Sequence, residues 1–323
     1  MRAWLADFGG GVDSLRRVEL PEPEPRKGEV LIQLEFATLN RRDQSILDGY
    51  YPLPVKPTLV PACDAVGTIL ATGPGVAELH VGERVVLAVF PAWEDGPFSL
   101  GVAAQLGGSL DGVLRERLCW PASAVVRVPE GMDPLQAACL PCAAVTAWNA
   151  LDLLELRVGQ SLLSTTTGNV SVYAVQFAAT RGLIPHLLSN STQRISELER
   201  AGISAEPGAP ADGADGAVHT FGSIDSTVDR LAFAGRIALV SPAGGTPIDA
   251  VKLFSRNVTV RAVSLGTVTQ TRRVIESAAR NRIHMPIIET FDFDDVPRAF
   301  TCQAAGTRPG KVAIMFPGEA ADS

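Results

Sequence analysis

The strongest constraint on the fold is a change in the pattern of apolar residues near residue 134. Before it, short apolar runs such as Val30–Leu39 and Arg84–Phe90 are separated by turns rich in glycine and proline, which indicates the strands of a small β-barrel. After it, short strands alternate with helical segments, as where Ser161–Ser164 is followed by Val170–Arg181. This alternation predicts a parallel, doubly wound sheet with helices on its faces.

Length and charge narrow the classes of protein to consider. A chain of 323 residues fits two compact domains, because single cores stop growing near about 250–300 residues. The 28 basic and 35 acidic side chains give a net charge of −7 without a basic cluster, so nucleic acid is not an expected partner. No apolar run approaches about 20 residues, so no membrane span is expected. Five cysteines without framework spacing, and no basic and apolar leader, predict a cytoplasmic protein with reduced thiols.

The segment Gly159–Ala179 carries the clearest chemical signal, since a strand runs through Thr-Thr-Thr-Gly-Asn directly into a helix. Such a turn presents backbone N–H groups and a helix N-terminus to a pyrophosphate. The three glycine positions of the dinucleotide motif hold Thr166, Gly168 and Ser171, so only the middle glycine is present. An ordinary strand–helix turn is the alternative interpretation.

Several further segments stand in a recognisable order. They are EVLIQLEFATLNRRD at 29–43, VGERVV at 81–86, LPCAAVTAWNAL at 140–151 and PGKVAIMF at 309–316. On these segments nearly the whole chain resembles the medium-chain dehydrogenase/reductase superfamily, and it is most similar to the zinc-free branch that contains quinone oxidoreductases.

The resemblance implies an α/β fold in which a GroES-like β-barrel domain is combined with a Rossmann-type doubly wound parallel sheet. The barrel is expected at 1–124 and again at 273–323, on either side of a Rossmann-like domain at 125–272. Substrate and nicotinamide would share the cleft between the two domains. A homodimer formed through edge strands, such as Val258–Ser264, is also implied.

Residue roles follow from the same resemblance. Asn40 matches a polar position beside the nicotinamide, and Tyr51 matches an aromatic side chain of the substrate cleft. Thr146 matches a hydroxyl that reaches the nicotinamide, and Lys311 matches a position near the cofactor phosphates. The alternatives are a turn asparagine, a surface tyrosine, a helix-interior threonine bonded to its own backbone and a solvated lysine. The other positions expected at the cofactor are Thr166, Gly168, Asn169, Val170, Ser189, Asn190, Arg194, Phe221 and Ser264, and those expected at the substrate cleft are Cys63, Asp64, Phe90, Trp93 and Cys142.

The choice of cofactor depends on the residues after the second strand of the parallel sheet. Enzymes that bind NAD place an acidic residue there to hold the ribose 2′-hydroxyl. This chain reads SNSTQR at 189–194, with the hydroxyls of Ser189 and Ser191, a nearby Arg194 and no acid. This favours NADPH, while a polar helix cap beside an unrelated arginine is the alternative.

The zinc positions of the superfamily correspond to Asn40, Cys63 and Cys142. An amide is a poor zinc ligand and the expected histidine is absent, so no zinc is predicted. The two cysteines are either small buried apolar residues or thiols that face the cleft, one of which reacts.

Two departures from the family pattern leave other functions open. The Cβ of Thr166 crowds the turn at 166–170 between the strand and the helix, which we call the phosphate turn. In addition, only twelve residues, rich in Pro, Gly, Ala and Asp, separate Gly202 from Asp215, and they are too few for the usual helix. The leading hypothesis is an NADPH-dependent reductase of a quinone, enone or enoyl compound. The second is a cofactor-independent cyclase, isomerase or lyase, in which His219 is a candidate acid or base unless it is a hydrogen-bonded strand-end histidine. The third is a catalytically silent binding protein.

Overall fold

Alternation of burial along the strands builds the first part of the chain. In the computed structural model, which describes residues 1–241 and 247–318, Val30, Ile32 and Leu34 are buried on one side of a ten-residue strand while the positions between them are partly exposed. The elements of this part are β1 (Arg2–Asp7), β2 (Arg16–Glu19), β3 (Glu29–Thr38), α1 (Arg41–Leu47), β4 (Thr58–Leu59), β5 (Asp64–Thr72), β6 (Arg84–Leu87), β7 (Arg117–Pro121) and β8 (Val125–Arg127), with short 3-10 helices at Val12–Ser14, Leu100–Val102 and Ala122–Ala124.

The middle of the chain alternates helices with short parallel strands. Buried residues such as Tyr173 and Phe177 pack its longer helices onto the sheet. The elements are α2 (Pro134–Ala138), α3 (Ala143–Leu154), β9 (Ser161–Ser164), α4 (Asn169–Thr180), β10 (Ile184–Leu187), α5 (Thr192–Arg200), β11 (Glu206–Pro207), β12 (Ala214–His219), α6 (Ile224–Val228), β13 (Leu231–Leu239), α7 (Ala250–Ser255), β14 (Thr259–Ala262) and α8 (Val268–Asn281).

The last part of the chain returns to the barrel. Its elements are β15 (Ile287–Asp292), a 3-10 turn at Phe293–Asp295, α9 (Val296–Ala305) and β16 (Lys311–Met315). Strand β16 pairs antiparallel with β3, so the seven-stranded sheet combines the order β15-β16-β3-β5-β6-β8 with β7 on the other part of β3. A three-stranded sheet in the order β2-β1-β4 lies beside it. The barrel is therefore built from both ends of the described chain.

The parallel sheet has the strand order β11-β10-β9-β12-β13-β14. The chain runs outward from β9 in one direction and then restarts at β12 on its other side. Ligands of open α/β sheets bind at such a switch point, beyond the carboxyl ends of the strands. The prediction of a GroES-like barrel combined with a Rossmann-type sheet is confirmed.

Three local features differ from or sharpen the predicted elements. The alanine-rich segment at 134–150 has a helical pattern but is divided into α2 and α3, because residues 139–142 contain Pro141. The segment Leu231–Gly235, where the sequence indicates the end of a helix, instead begins strand β13. As predicted, the chain has no helix between α5 and α6, where the two-residue β11 is followed by a connection over residues 208–213.

The predicted domain boundaries stay predictions. Strand β8 pairs with β6, so residues 125–127 lie in the barrel sheet although they were assigned to the Rossmann-like domain. The predicted break at 272 falls within α8. Residues 242–246 and 319–323, which belong to the predicted second and third segments, lie outside the described residues.

Candidate active site

The turn between β9 and α4 lies at the switch point of the parallel sheet. Gly168 is the N-cap of α4, and no side chain caps the first turn of that helix. The hydroxyl of Thr166 accepts a hydrogen bond from the N–H of Gly168 at 3.1 Å and lies 2.8 Å from the hydroxyl of Thr220. Thr166 thus already engages an N–H group that an approaching anion would use. The first helical turn continues through Asn169 and Val170, both half-buried.

Arg194 connects the helix after β10 to this turn. The hydroxyl of Ser191 caps α5 by accepting the N–H of Arg194 at 3.3 Å, and Ser189 in turn bonds to Ser191. The guanidinium of Arg194 donates to the hydroxyl of Thr167 at 3.4 Å and to the carbonyl of Gly306. The segment therefore caps the helix and also places a positive charge at the phosphate turn. Ser189 and the neighbouring residue Asn190 are exposed beside it.

Asn40 belongs to a buried polar network in the barrel. Its side-chain Nδ2 donates to Asp64 Oδ2 at 2.8 Å, and its backbone N–H donates to Asp43 Oδ2 at 2.8 Å. The ammonium of Lys311 contacts the same oxygen of Asp64 and donates to the hydroxyl of Thr38 at 2.9 Å. Asp64 therefore holds the side chain of Asn40 by a hydrogen bond. Because Asp64 is fully buried, it cannot itself contact a ligand.

The prediction that Lys311 lies near the cofactor phosphates is wrong. Its side chain is fully buried and its ammonium is committed to Asp64 and Thr38. Burial acts to lower the pKa of Lys311, but the neighbouring carboxylate of Asp64 outweighs it, so the pKa lies above the ordinary value for lysine. The buried group is a charged lysine paired with Asp64.

Tyr51 is held by two residues that the sequence did not single out. Its hydroxyl donates to Gln105 Oε1 at 3.1 Å, and the guanidinium of Arg42 lies 5.1 Å from the centre of its ring. Burial raises the pKa of Tyr51, while Arg42 acts in the opposite direction. Tyr51 is therefore half-buried and positioned, unlike a free surface tyrosine. In the sequence, the one feature that pointed to this contact was Arg42 itself, within LNRRD at 39–43.

One thiol lies next to Asn40 and a second lies beside the first. Cys63 is fully buried with its Sγ 3.9 Å from Nδ2 of Asn40, and Cys142 is nearly buried at the start of α3. Burial, followed by the proximity of Cys142, raises the pKa of the Cys63 thiol well above its ordinary value. Cys63 is therefore a protonated thiol, which agrees with a small buried residue and disfavours a reactive thiolate.

Close backbone packing holds Cys63 in place. A Cβ at Gly107 would lie 2.3 Å from the carbonyl oxygen of Ala62, and one at Gly112 would lie 2.0 Å from it. Gly107 also has a φ of +65°, which favours glycine. Only glycine lets the 105–112 loop press against the backbone beside Cys63.

The donor atoms at the zinc positions do not fit a zinc ion. The amide of Asn40 is bonded to Asp64, and the other two positions hold the thiols of Cys63 and Cys142 without a histidine. Within residues 1–241 and 247–318, no three His, Cys, Asp or Glu side chains form a group that could hold a metal.

Thr146 and the cleft aromatics are more enclosed than the resemblance implies. The hydroxyl of Thr146 donates to the carbonyl of Cys142 at 2.7 Å, as in the alternative of a helix-interior threonine, although its lone pairs can still accept a hydrogen bond. Phe90 and Trp93 are buried and form an edge-to-face cluster with Phe98, with ring centres 5.0–6.0 Å apart. The cluster belongs to the core of the barrel, and the direct contact of these rings with substrate stays a prediction.

The structure contradicts His219 as an acid or base. The residue ends β12, where its ring is buried and its Nδ1 lies 2.9 Å from the hydroxyl of Thr227 on α6. Burial lowers the pKa of His219, so the ring is a neutral, hydrogen-bonded strand-end histidine. Phe221 is exposed just beyond it, and Ser264 is half-buried between β14 and α8. The cofactor roles of these last two residues stay predictions.

Both halves of the molecule meet at the junction of α2 and α3. Cys142, at the start of α3, packs in the core of the barrel, while the hydroxyl of Tyr173 on α4 donates to the carbonyl of Cys139 at 3.2 Å. Leu265, which precedes α8, packs against both cores. These contacts join the group around Asn40 to the sheet that carries the phosphate turn.

Known proteins with this geometry identify the family. The family described as the alcohol dehydrogenase GroES-like domain matches residues 26–130. A zinc-type alcohol dehydrogenase-like protein of Schizosaccharomyces pombe is 30% identical over 343 residues, covering 98% of this chain and 99% of that protein. The chain belongs to the medium-chain dehydrogenase/reductase superfamily. This confirms the resemblance seen in the sequence and makes the protein an oxidoreductase.

Two further superfamily relatives are informative. A chloroplastic quinone-oxidoreductase of Triphysaria versicolor is 35% identical over 188 residues, which cover 55% of this chain and 52% of that protein. The solved structure of a thermostable alcohol dehydrogenase from Pyrobaculum aerophilum superimposes with a TM-score of 0.85 at 26% identity, covering 98% of this chain and all of that one. None of the helices in the described ranges is long and apolar enough to cross a membrane.

Proposed function

We propose that this medium-chain oxidoreductase uses NADPH to reduce a small conjugated carbonyl compound, such as a quinone, an enone or an enoyl compound, without zinc. The observation that carries the cofactor choice is Arg194, which follows β10 in the region from which the ribose 2′-hydroxyl or 2′-phosphate is recognised, with its guanidinium held against Thr167. A guanidinium pairs well with a 2′-phosphate, and residues 188–194 contain no acid to repel one.

The phosphate turn suits a dinucleotide in two respects. The first turn of α4 has no side-chain cap, so its N–H groups and the helix dipole favour an anion. A Cβ at Gly168 would meet only the hydroxyl of Thr166 at 3.4 Å, so the backbone there is open to close approach. When bound, the dinucleotide would supply the hydride.

The side chains near Asn40 indicate the kind of substrate. The protonated thiol of Cys63 lies against Asn40 and interacts electrostatically with Tyr51, whose phenol is already bonded to Gln105. These groups polarise a carbonyl only weakly, which suits a substrate that is already electron-poor. We expect Asn40 and Thr146 to orient the nicotinamide, and Tyr51 or water to supply the proton that completes the reduction.

Titration of the purified protein with NADPH and NADH tests the cofactor choice. We expect NADPH to bind more tightly than NADH, and Arg194→Gln to weaken NADPH binding by about tenfold with little effect on NADH. Arg200→Gln, at the exposed end of the same helix, is the matched control. Equal binding of both cofactors in the wild-type protein would contradict the choice of NADPH.

Steady-state assays test the substrate class. We expect NADPH oxidation with quinones and enones to exceed the reverse oxidation of simple alcohols with NADP⁺, and added zinc to leave the rates unchanged. Turnover confined to alcohols and stimulated by zinc would instead favour the chemistry named in the Schizosaccharomyces pombe relative.

A further inference from the structure

The side chain of Asn40 contacts a buried ion pair formed by Lys311 and Asp64. Asp64 begins β5 and Lys311 begins β16, on the two strands that flank the end of β3. Thr38 pairs with Asp64 across β3 and β5, and its hydroxyl accepts a hydrogen bond from Lys311 while donating to the carbonyl of Ala138 at 3.1 Å. Lys311, Asp64 and Thr38 are all fully buried.

The ion pair determines how the Asn40 amide is oriented. An ionised carboxylate only accepts hydrogen bonds, so the side-chain NH₂ of Asn40 must be the group that faces Asp64. The amide oxygen then lies on the other branch of the amide, on the side of α1, where the Asn40 side chain accepts the backbone N–H of Asp43 in a capping box. The carboxylate of Asp64 and the first turn of α1 therefore hold the two ends of the Asn40 amide.

Stability alone does not account for this pair. Taking two charges out of water is costly, and well-packed apolar residues of similar volume are often as stable as a buried ion pair. Removing both charges would, however, take away the carboxylate that holds the side-chain NH₂ of Asn40.

We propose that Lys311 is a positioning residue, which keeps Asp64 in place and so holds the side chain of Asn40 in one orientation. The proposal rests on the proposed function for the role of Asn40 at the nicotinamide. The orientation of the amide itself can be tested without any ligand.

Kinetics of matched variants separate positioning from stability. Lys311→Met leaves Asp64 buried without its counter-charge, so we expect it to lose both stability and kcat. In the double variant Lys311→Met with Asp64→Asn no charge is left unpaired, so we expect stability to recover while kcat stays at least about tenfold below wild type. Lys252→Met, which breaks an exposed pair with Asp229, should change neither quantity. A double variant with wild-type kcat would overturn the proposal.

Solvent exchange of the Asn40 side-chain NH₂ supplies a readout that needs no turnover. The chain has six asparagines, so selective ¹⁵N labelling and the variant Asn40→Ser assign this signal. We expect exchange of the NH₂ group to be at least about tenfold faster in the double variant than in the wild type, because a fixed carboxylate no longer holds it. Unchanged exchange would refute the positioning role. A wild-type protein that binds no nicotinamide cofactor would refute the proposed function instead, and the exchange comparison would still stand.

Discussion

At the scale of single residues, Thr166 shows how one hydroxyl can occupy a turn that usually belongs to glycine. Its side chain accepts the N–H of Gly168 and lies within hydrogen-bonding distance of Thr220 and Ser171. These hydrogen bonds satisfy polar groups of the turn when no anion is bound. A dinucleotide would therefore have to compete with the Thr166 hydroxyl for the same N–H group.

Replacing Thr166 tests this competition. We expect Thr166→Gly to tighten NADPH binding several-fold, because both the methyl group and the competing hydroxyl are removed. Thr166→Ser keeps the hydroxyl and so should bind NADPH much as the wild type does. Calorimetric titration measures both variants. Unchanged affinity in Thr166→Gly would show that the helix missing before β12 limits binding more than this turn does.

Asp43 gives the molecule a pH dependence of stability. Burial raises its pKa to about 6, although Arg42 and the N–H of Asn40 act to lower it. An unfolded aspartate titrates near 3.8, so between these two values the folded protein holds a proton that the unfolded chain has lost. The free energy of unfolding that depends on Asp43 should therefore fall as the pH rises through this window.

The variant Asp43→Asn isolates this contribution, because an amide does not titrate and can still accept the N–H of Asn40. We expect its free energy of unfolding relative to wild type to rise by about 2–3 kcal/mol between about pH 4 and pH 7. Urea unfolding at several pH values measures the difference. A constant difference across this range would mean that Asp43 is ionised throughout.

At the scale of elements, the segment after β6 joins the barrel to α8. The carbonyls of Trp93 and Glu94 accept the N–H groups of Val268 and Thr269 in the first turn of α8, at 2.9 and 3.1 Å. The carboxylate of Glu94 also binds Arg272 at 2.6 Å. This segment therefore bridges the two parts of the molecule beside the aromatic cluster.

Loosening that segment should weaken the binding of the substrate more than the binding of the cofactor. We expect Phe98→Ala, which removes one ring of the cluster, to raise KM for the carbonyl substrate several-fold while NADPH affinity stays within about twofold of wild type. Leu100→Ala, at an exposed position of the same loop, is the control. Parallel losses of substrate and cofactor affinity would show that the segment has no separate role at the substrate side.

At the scale of the whole molecule, the edge of the parallel sheet formed by β14 is the expected dimer contact. All four residues of β14 are exposed or partly exposed, and large apolar side chains lie beside it, with Phe233 73%, Val251 75% and Phe254 89% exposed. Such a patch next to a strand that is the last of its sheet within residues 1–241 and 247–318 is typical of a surface covered in an assembly.

Light scattering should find a dimer that Phe254→Asp converts to a monomer, because a two-fold contact would bring the two introduced charges together. The folded monomer should survive this change, since Phe254 is 89% exposed. Val81→Asp, at an exposed apolar position of the barrel, is the control. A dimer that persists in Phe254→Asp would place the contact elsewhere.

The sequence by itself determined the combination of a barrel with a parallel sheet, the alternation of strands and helices after residue 134 and the absence of a helix at 203–214. These features depend on local periodicity, turn residues and chain length, which are visible without contacts. It also identified Asn40 and Arg194 as residues of interest, through short motifs that match the superfamily.

Only the tertiary structure decided what the polar side chains do. Lys311 is separated from Asp64 by 247 positions, and their pairing depends on β16 and β5 lying on either side of β3. His219 faces α6, and Tyr51 is held by Gln105, for the same reason. Whether a buried charged or polar group serves a ligand or the core depends on which partners the fold brings to it, and the local sequence carries no record of those partners.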